Sequence, residues 1–244
     1  PGRHRRGQEA AVGGKIKDLT IDFGNIDDFQ RPKELVEEDI VPLEESLYLN
    51  KAKEARQQLM ELANNDPSHF MDLLYLARLN EDSEIVHYAT TFISEISSQY
   101  DEKLSAFEKR FEKGEADFDL LTEYCDFMEE YLQQGLLEKQ VEHMQRNQYT
   151  QLLQKKIKTD MNFHSCLCLA DNLMKLKDYS GAQQILDVID KKWHRRDEYW
   201  VRKIQLFAEQ KNGRAIQAAL KQMKEEHIYL SSKSKEVLAF WLDS

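Results

Sequence analysis

The sequence predicts an all-α chain, an α-solenoid of antiparallel helix pairs joined by one long helix, and three observations lead there. Helix breakers are scarce: nine Gly and four Pro punctuate 244 residues, too few for the turns of a many-stranded sandwich or barrel. From Pro42 onward, apolar residues recur at spacings of three and four, the period of an amphipathic helix. Part of the pattern also repeats at about 34 residues, the length of one stacking helix pair.

Composition narrows the class. Apolar residues make up 41% and charged residues 32% of the chain, and the mean hydropathy of −0.69 fits a soluble folded protein rather than a membrane-embedded one. Lys and Arg total 34 against 44 Asp and Glu, a net charge of −10. A general nucleic-acid surface therefore lacks its electrostatic driving force, and nucleic acid is not expected as a partner. Cys125, Cys166 and Cys168 are odd in number and lie inside helical patterns, which points to a reducing compartment rather than a disulfide framework. No run of about 18 apolar residues occurs, nor the apolar stretch of a signal peptide. The opening Pro1-Gly2-Arg3-His4-Arg5-Arg6-Gly7 is compatible with a cloning scar, a processed terminus, or the basic flank of a preceding transmembrane helix.

Along the chain, residues 1–41 read as a tether, basic to residue 17 and then acidic (Asp18, Asp22, Asp27, Asp28, Glu34, Glu37, Glu38, Asp39), and partly disordered. Leu19-Thr20-Ile21-Asp22-Phe23 alternates as a short extended piece would, and Ile26 and Phe29 are candidates to dock on the folded body. Helices are then expected at 43–49, 52–63, 67–79, 82–112, 117–134, 138–158, 163–176, 179–192, 197–210, 213–226 and 232–242. Asp66-Pro67-Ser68 and Asp82-Ser83-Glu84 start two of them, while Gly114, Gly135 and Lys211-Asn212-Gly213 mark turns. The stretch 82–112 has no breaker, and Ile85, Ala89, Phe92, Ile96, Tyr100, Leu104, Phe107 and Phe111 form one apolar stripe along it. It reads as a strut that closes an N-terminal module at 42–112 and leads into a C-terminal module at 113–244.

The repeat is clearest from Phe163. Leu169, Ala170, Leu173, Tyr179, Ala182, Leu186 and Ile189 occupy the packing sites of the 34-residue tetratricopeptide pattern, which this segment resembles. One period later Trp200 takes the fourth site, followed by Phe207, Ile216, Leu220 and Met223. Ile204 and Ile216 replace the small residues usual at the eighth and twentieth sites, so that pair should cross at a wider distance. Upstream, Cys125 and Met128 suit one more repeat, but its second helix, with Tyr149, Leu152, Leu153 and Ile157, arrives late, as though both helices were extended. Lys235 to Trp241 reads as a closing helix. Asp66–Ser97 is similar to a HEAT-type pair, with Asp82-Ser83-Glu84-Ile85-Val86, Ala89, Phe92-Ile93 and Ile96 in its second helix.

A wider resemblance runs through Val41-Pro42-Leu43-Glu44-Glu45, Ala77-Arg78-Leu79-Asn80-Glu81-Asp82, Val86-His87-Tyr88-Ala89-Thr90-Thr91 and Val237-Leu238-Ala239-Phe240-Trp241. These blocks look like the soluble part of tetratricopeptide proteins encoded in Pel-type exopolysaccharide operons of Gram-positive bacteria. That resemblance implies a cytoplasmic scaffold at the inner face of the cell membrane, attached only through transmembrane helices outside this sequence. It also implies work beside a c-di-GMP receptor, a glycosyltransferase and a polymerase channel.

Candidate chemistry is sparse. His164 and Cys168 share a helix face but Cys166 points away, and no second pair completes a tetrahedral site, so the sequence predicts no metal and no cofactor. His87-Tyr88 reads as a buried, hydrogen-bonded polar pair. Glu44-Glu45, Glu129-Glu130 and Glu225-Glu226 diverge on their helices as solvated faces. No phosphate loop, G-x-S-x-G elbow or H-E-x-x-H is present, and no enzymatic activity is expected. The expected function is noncatalytic gripping of partner proteins in a groove lined by the first helix of each pair: His164, Leu167, Asp171 and Lys175, then Glu198, Val201, Arg202 and Gln205. Leu167 and Asp171 stand where a carboxylate clamp needs Lys and Asn, which argues against capture of an acidic chain terminus. The alternatives are a ligand-sensing regulatory domain or an enzyme whose site forms only between helices, and a module that self-assembles through the 82–112 helix.

Overall fold

The computed structural model describes residues 71–114 and 117–242, preceded by helical positions 53–55, 57 and 59, of which Ala55 and Leu59 are fully buried. The expected tether at 1–41, the helix at 43–49, the Asp66-Pro67-Ser68 start and most of 52–63 lie outside the described residues. All regular structure among the described residues is helical. The chain divides into two compact units inside the long helix, between Gln99 and Tyr100.

In the first unit, α1 (Met71–Ala77) buries Met71, Leu73, Leu74 and Ala77. It stops two residues earlier than the pattern suggested, because Leu79 and Asn80 donate to carbonyls only three residues back and tighten the last turn. The Asn80 side chain then accepts from Asp82 N at 2.9 Å, and Asp82 caps α2 (Ser83–Glu112) by accepting from Glu84 N at 2.9 Å. Within α2, Ile85, Ala89, Phe92 and Ile96 are buried as the apolar stripe requires. His87 is exposed and Tyr88 only half-buried, its hydroxyl donating to Glu84 at 3.4 Å, so the expected buried polar pair is not formed. At 3.6 residues per turn His87 lies about half a turn from the stripe, on the face opposite to it, which places it in solvent.

The second unit starts with the rest of α2 and continues through α3 (Phe118–Gln133), α4 (Lys139–Thr159), α5 (Phe163–Lys175), α6 (Tyr179–Trp193), α7 (Asp197–Glu209), α8 (Gly213–Glu225) and α9 (Ser232–Leu242). An aromatic layer joins α2 to α3. Tyr100 stacks on Tyr131 at 5.2 Å and Phe107 on Tyr124 at 5.0 Å, geometries that add to the area they bury. Each sequential pair from α3 to α8 packs together, and α7 also packs against α5 and α9. Most of the repeat sites are core, with Ala170, Ala182, Ile189, Trp200 and Ile204 fully buried, whereas Tyr179, Phe207 and Leu220 are half-buried. The upstream pair does have longer helices, 16 residues in α3 and 21 in α4.

The same turn device closes two of these pairs one 34-residue period apart. Lys177 (φ 61°) and Lys211 (φ 55°) take left-handed backbone. The next residue donates back across the helix end, Asp178 N to Leu173 O at 2.9 Å and Asn212 N to Phe207 O at 2.8 Å. Its side chain then caps the following helix, Asp178 accepting from Gly181 N at 2.9 Å and Asn212 from Ala215 N at 3.1 Å. A Cβ at Gly181 would crowd Asp178 Oδ2, so a larger residue there would have to displace the capping carboxylate.

Long polar links also recur at about one period. Tyr131 donates to Asp101 at 2.9 Å, Arg202 to Asp171 at 2.8 Å and Ser231 N to Asp197 at 2.9 Å. Asn172, 2% exposed, clamps α5 to α4 by donating to Arg146 O at 2.7 Å and Thr150 Oγ1 at 2.9 Å while accepting from the Arg146 guanidinium at 3.2 Å. A buried amide with all these bonds made costs little, whereas an orphaned partner costs about 1–3 kcal/mol.

Candidate partner-binding groove

Alternate helices of the second unit open onto one groove of about 910 Å³. Glu129 comes from α3, Cys168, Asp171 and Lys175 from α5, Arg202 and Gln205 from α7, and Lys233 and Trp241 from α9, with Arg146 and Tyr149 of α4 at the back. The first members of successive pairs supply most of the lining, and Arg146 and Tyr149 of α4 and Tyr179 of α6 contribute to it as well.

Of the residues singled out in the sequence, Asp171, Lys175, Arg202 and Gln205 line the groove together. His164 is exposed beside it, Leu167 is half-buried outside its lining, and Glu198 pairs with Arg196 at 2.9 Å. Val201 is 2% exposed and is core, which corrects its placement on the open face. The reason is that α7 packs against α5, α6, α8 and α9, so only a narrow strip of it, carrying Arg202 and Gln205, stays accessible.

Electrostatics divide the groove. Arg202 Nε lies 2.8 and 2.9 Å from the two Asp171 oxygens. Burial pushes the Asp171 carboxyl up, opposed by the hydrogen bond and charge of Arg202. Arg146 is held by Glu142 at 2.7 Å. By contrast Lys175, Lys177 and Lys233 line the groove and enter no ion pair among the described residues. Glu209, which accepts from the Tyr179 hydroxyl at 3.5 Å, and Glu129 also line the groove, so its three lysines outnumber these two carboxylates in a chain whose net charge is −10.

At the α3 end, Glu129 and Cys168 meet His164. His164 Nε2 is 3.2 Å from Glu129 Oε2 and 3.5 Å from Cys168 Sγ. Glu129 is therefore not simply a solvated carboxylate, nor is Glu130, which accepts from the Tyr100 hydroxyl. Burial first, and then the Glu129 charge, push the Cys168 thiol up to about 12. A thiol so protonated is a poor nucleophile. The geometry also differs from a Cys-His-Glu relay, which uses the two imidazole nitrogens separately, since the sulfur lies nearer to Nε2 (3.5 Å), the nitrogen that meets the carboxylate, than to Nδ1 (3.9 Å). Cys166, one residue from Ser165 in the core, is 1% exposed and takes no part.

The sequence reading missed Glu129 and the α9 residues Lys233 and Trp241. No local signal marks them; only the side-by-side placement of α3, α5, α7 and α9 brings them to one surface. Comparison of the chain with protein-family models, curated proteins and solved structures returns no match.

Proposed function

We propose that the chain is a noncatalytic scaffold whose helix pairs stack as a solenoid, HEAT-like up to residue 112 and tetratricopeptide-like beyond it, with a segment of a partner protein held in the groove. The observation that carries this reading is the supply of groove residues by alternate helices, the arrangement that gives repeat proteins their extended binding surfaces. Lys175, Lys177 and Lys233, set beside Trp241 and Gln205, suit an acidic amphipathic helix or extended segment. The blocks resembling tetratricopeptide proteins of Pel-type operons support partners from an exopolysaccharide synthesis complex at the inner membrane face.

The test is retention of the purified soluble domains encoded beside this chain on the immobilised protein, compared with the Lys175→Glu plus Lys233→Glu variant. Both lysines are exposed, so the reversal leaves the fold intact. Retention should weaken about tenfold or more, the equivalent of about 1.4 kcal/mol. Equal retention by both proteins overturns the groove as the binding surface.

A further inference from the structure

We propose that Glu129, His164 and Cys168 form a binding site for a divalent d-block ion, with Zn(II) the ion that fits best. Glu129 Oε2, His164 Nε2 and Cys168 Sγ all lie within 4.8 Å of one another. Zinc bonds of about 2.0–2.3 Å at tetrahedral angles put neighbouring donors roughly 3.3–3.8 Å apart. The His164 pairs, at 3.2 Å to Glu129 and 3.5 Å to Cys168, are close to those edges, and a turn of the imidazole brings Nε2 to face both partners.

Donor chemistry selects the ion. One thiolate, one imidazole and one carboxylate suit a borderline ion such as Zn(II), whereas Mg(II) and Ca(II) demand oxygen donors. His164 and Cys168, four residues apart on α5, project from one helix face, and Glu129 closes the triangle from α3. The imidazole, its side chain 65% exposed, is free to aim Nε2 at the ion. The buried Tyr149 of α4 lines the groove together with Cys168. On binding, the ion replaces the thiol proton, which passes to solvent. Because Glu129 and Cys168 line the groove, the fourth position of a tetrahedral ion opens to water or to a donor from the bound partner. The site therefore bridges α3 and α5 at the groove's edge. It stands on the donor triangle alone and holds whether or not the groove takes a protein.

Cobalt(II) is the probe, added to the reduced full chain after chelator treatment. Expected are one equivalent bound, the strong visible bands of four-coordinate Co(II), a near-ultraviolet thiolate-to-cobalt charge-transfer band, and displacement by Zn(II). Cys168→Ser should abolish the charge-transfer band, and Cys166→Ser should leave it. His164→Gln, at an exposed position that does not threaten folding, should weaken binding by about tenfold or more, as should Glu129→Gln. Absence of a saturable band in the wild type, a band that survives Cys168→Ser, or affinity unchanged in both His164→Gln and Glu129→Gln overturns the site.

Discussion

The hairpins α5–α6 and α7–α8 follow one plan, yet they differ where their helices cross. Cys166, Ala170 and Ala182 in the first correspond, one period on, to Trp200, Ile204 and Ile216 in the second. The backbones of α5 and α6 stay within 8 Å of each other over more of their length than those of α7 and α8. Both hairpins nevertheless use the same left-handed Lys followed by an Asp or Asn cap. Turn chemistry is thus fixed by backbone geometry, which leaves few solutions, while the crossing is set by side-chain volume, which trades freely against helix separation.

Replacing Trp200 should produce the largest difference between the two. Trp200 is fully buried and donates to His194 O at 2.8 Å, so Trp200→Ala should cost about 3–5 kcal/mol in urea unfolding. The matching Cys166→Ala removes only a sulfur and should cost a small fraction of that. Equal losses would show that the two sites are not equivalent. A smaller effect is expected from giving the first hairpin the second one's crossing. Ala170 is fully buried on α5, and Ala170→Ile should destabilise by about 1–3 kcal/mol through overpacking, read in the same unfolding experiment. No loss would mean that the closer crossing is not enforced by small residues.

The smallest effect concerns the far ends of α6 and α8, where His194 bridges Asp190, at 2.5 Å from Nδ1, and Glu226 on Nε2. Hydrogen bonds to Asp190 and Glu226 raise the His194 pKa above its ordinary 6.5. Its neighbours include Trp200 at 5.1 Å and Tyr199, with Lys203 over both rings. A raised histidine contributes stability that is full below 6.5 and is lost as the pH climbs through its folded-state value. The urea midpoint should therefore fall as the pH rises from about 6 to about 8, and His194→Gln should flatten that slope. An unchanged slope in the variant would remove the bridge as its source.

Much of the helical framework was legible because it rests on local rules. The Asp82, Asp178 and Asn212 caps and the stripe of α2 are set by neighbours within one or two turns. The groove was half legible. Asp171, Lys175, Arg202 and Gln205 follow from the register of the repeat, but Val201 did not, since its burial depends on four helices packing around α7. Asn172 reads as one more polar residue on a surface helix until Arg146 and Thr150 of α4 are placed against it.

By itself the sequence determined the helical class of the chain, the position of its turns and the period at which helix pairs recur, because spacing and capping act over a few residues. Tertiary structure alone decided that Glu129 meets His164 and Cys168, that Lys233 and Trp241 join the groove, and that Lys175, Lys177 and Lys233 come to one surface there. Those facts depend on which helix lies beside which, and contacts made across 30 or more residues carry no signature in either of the segments that form them.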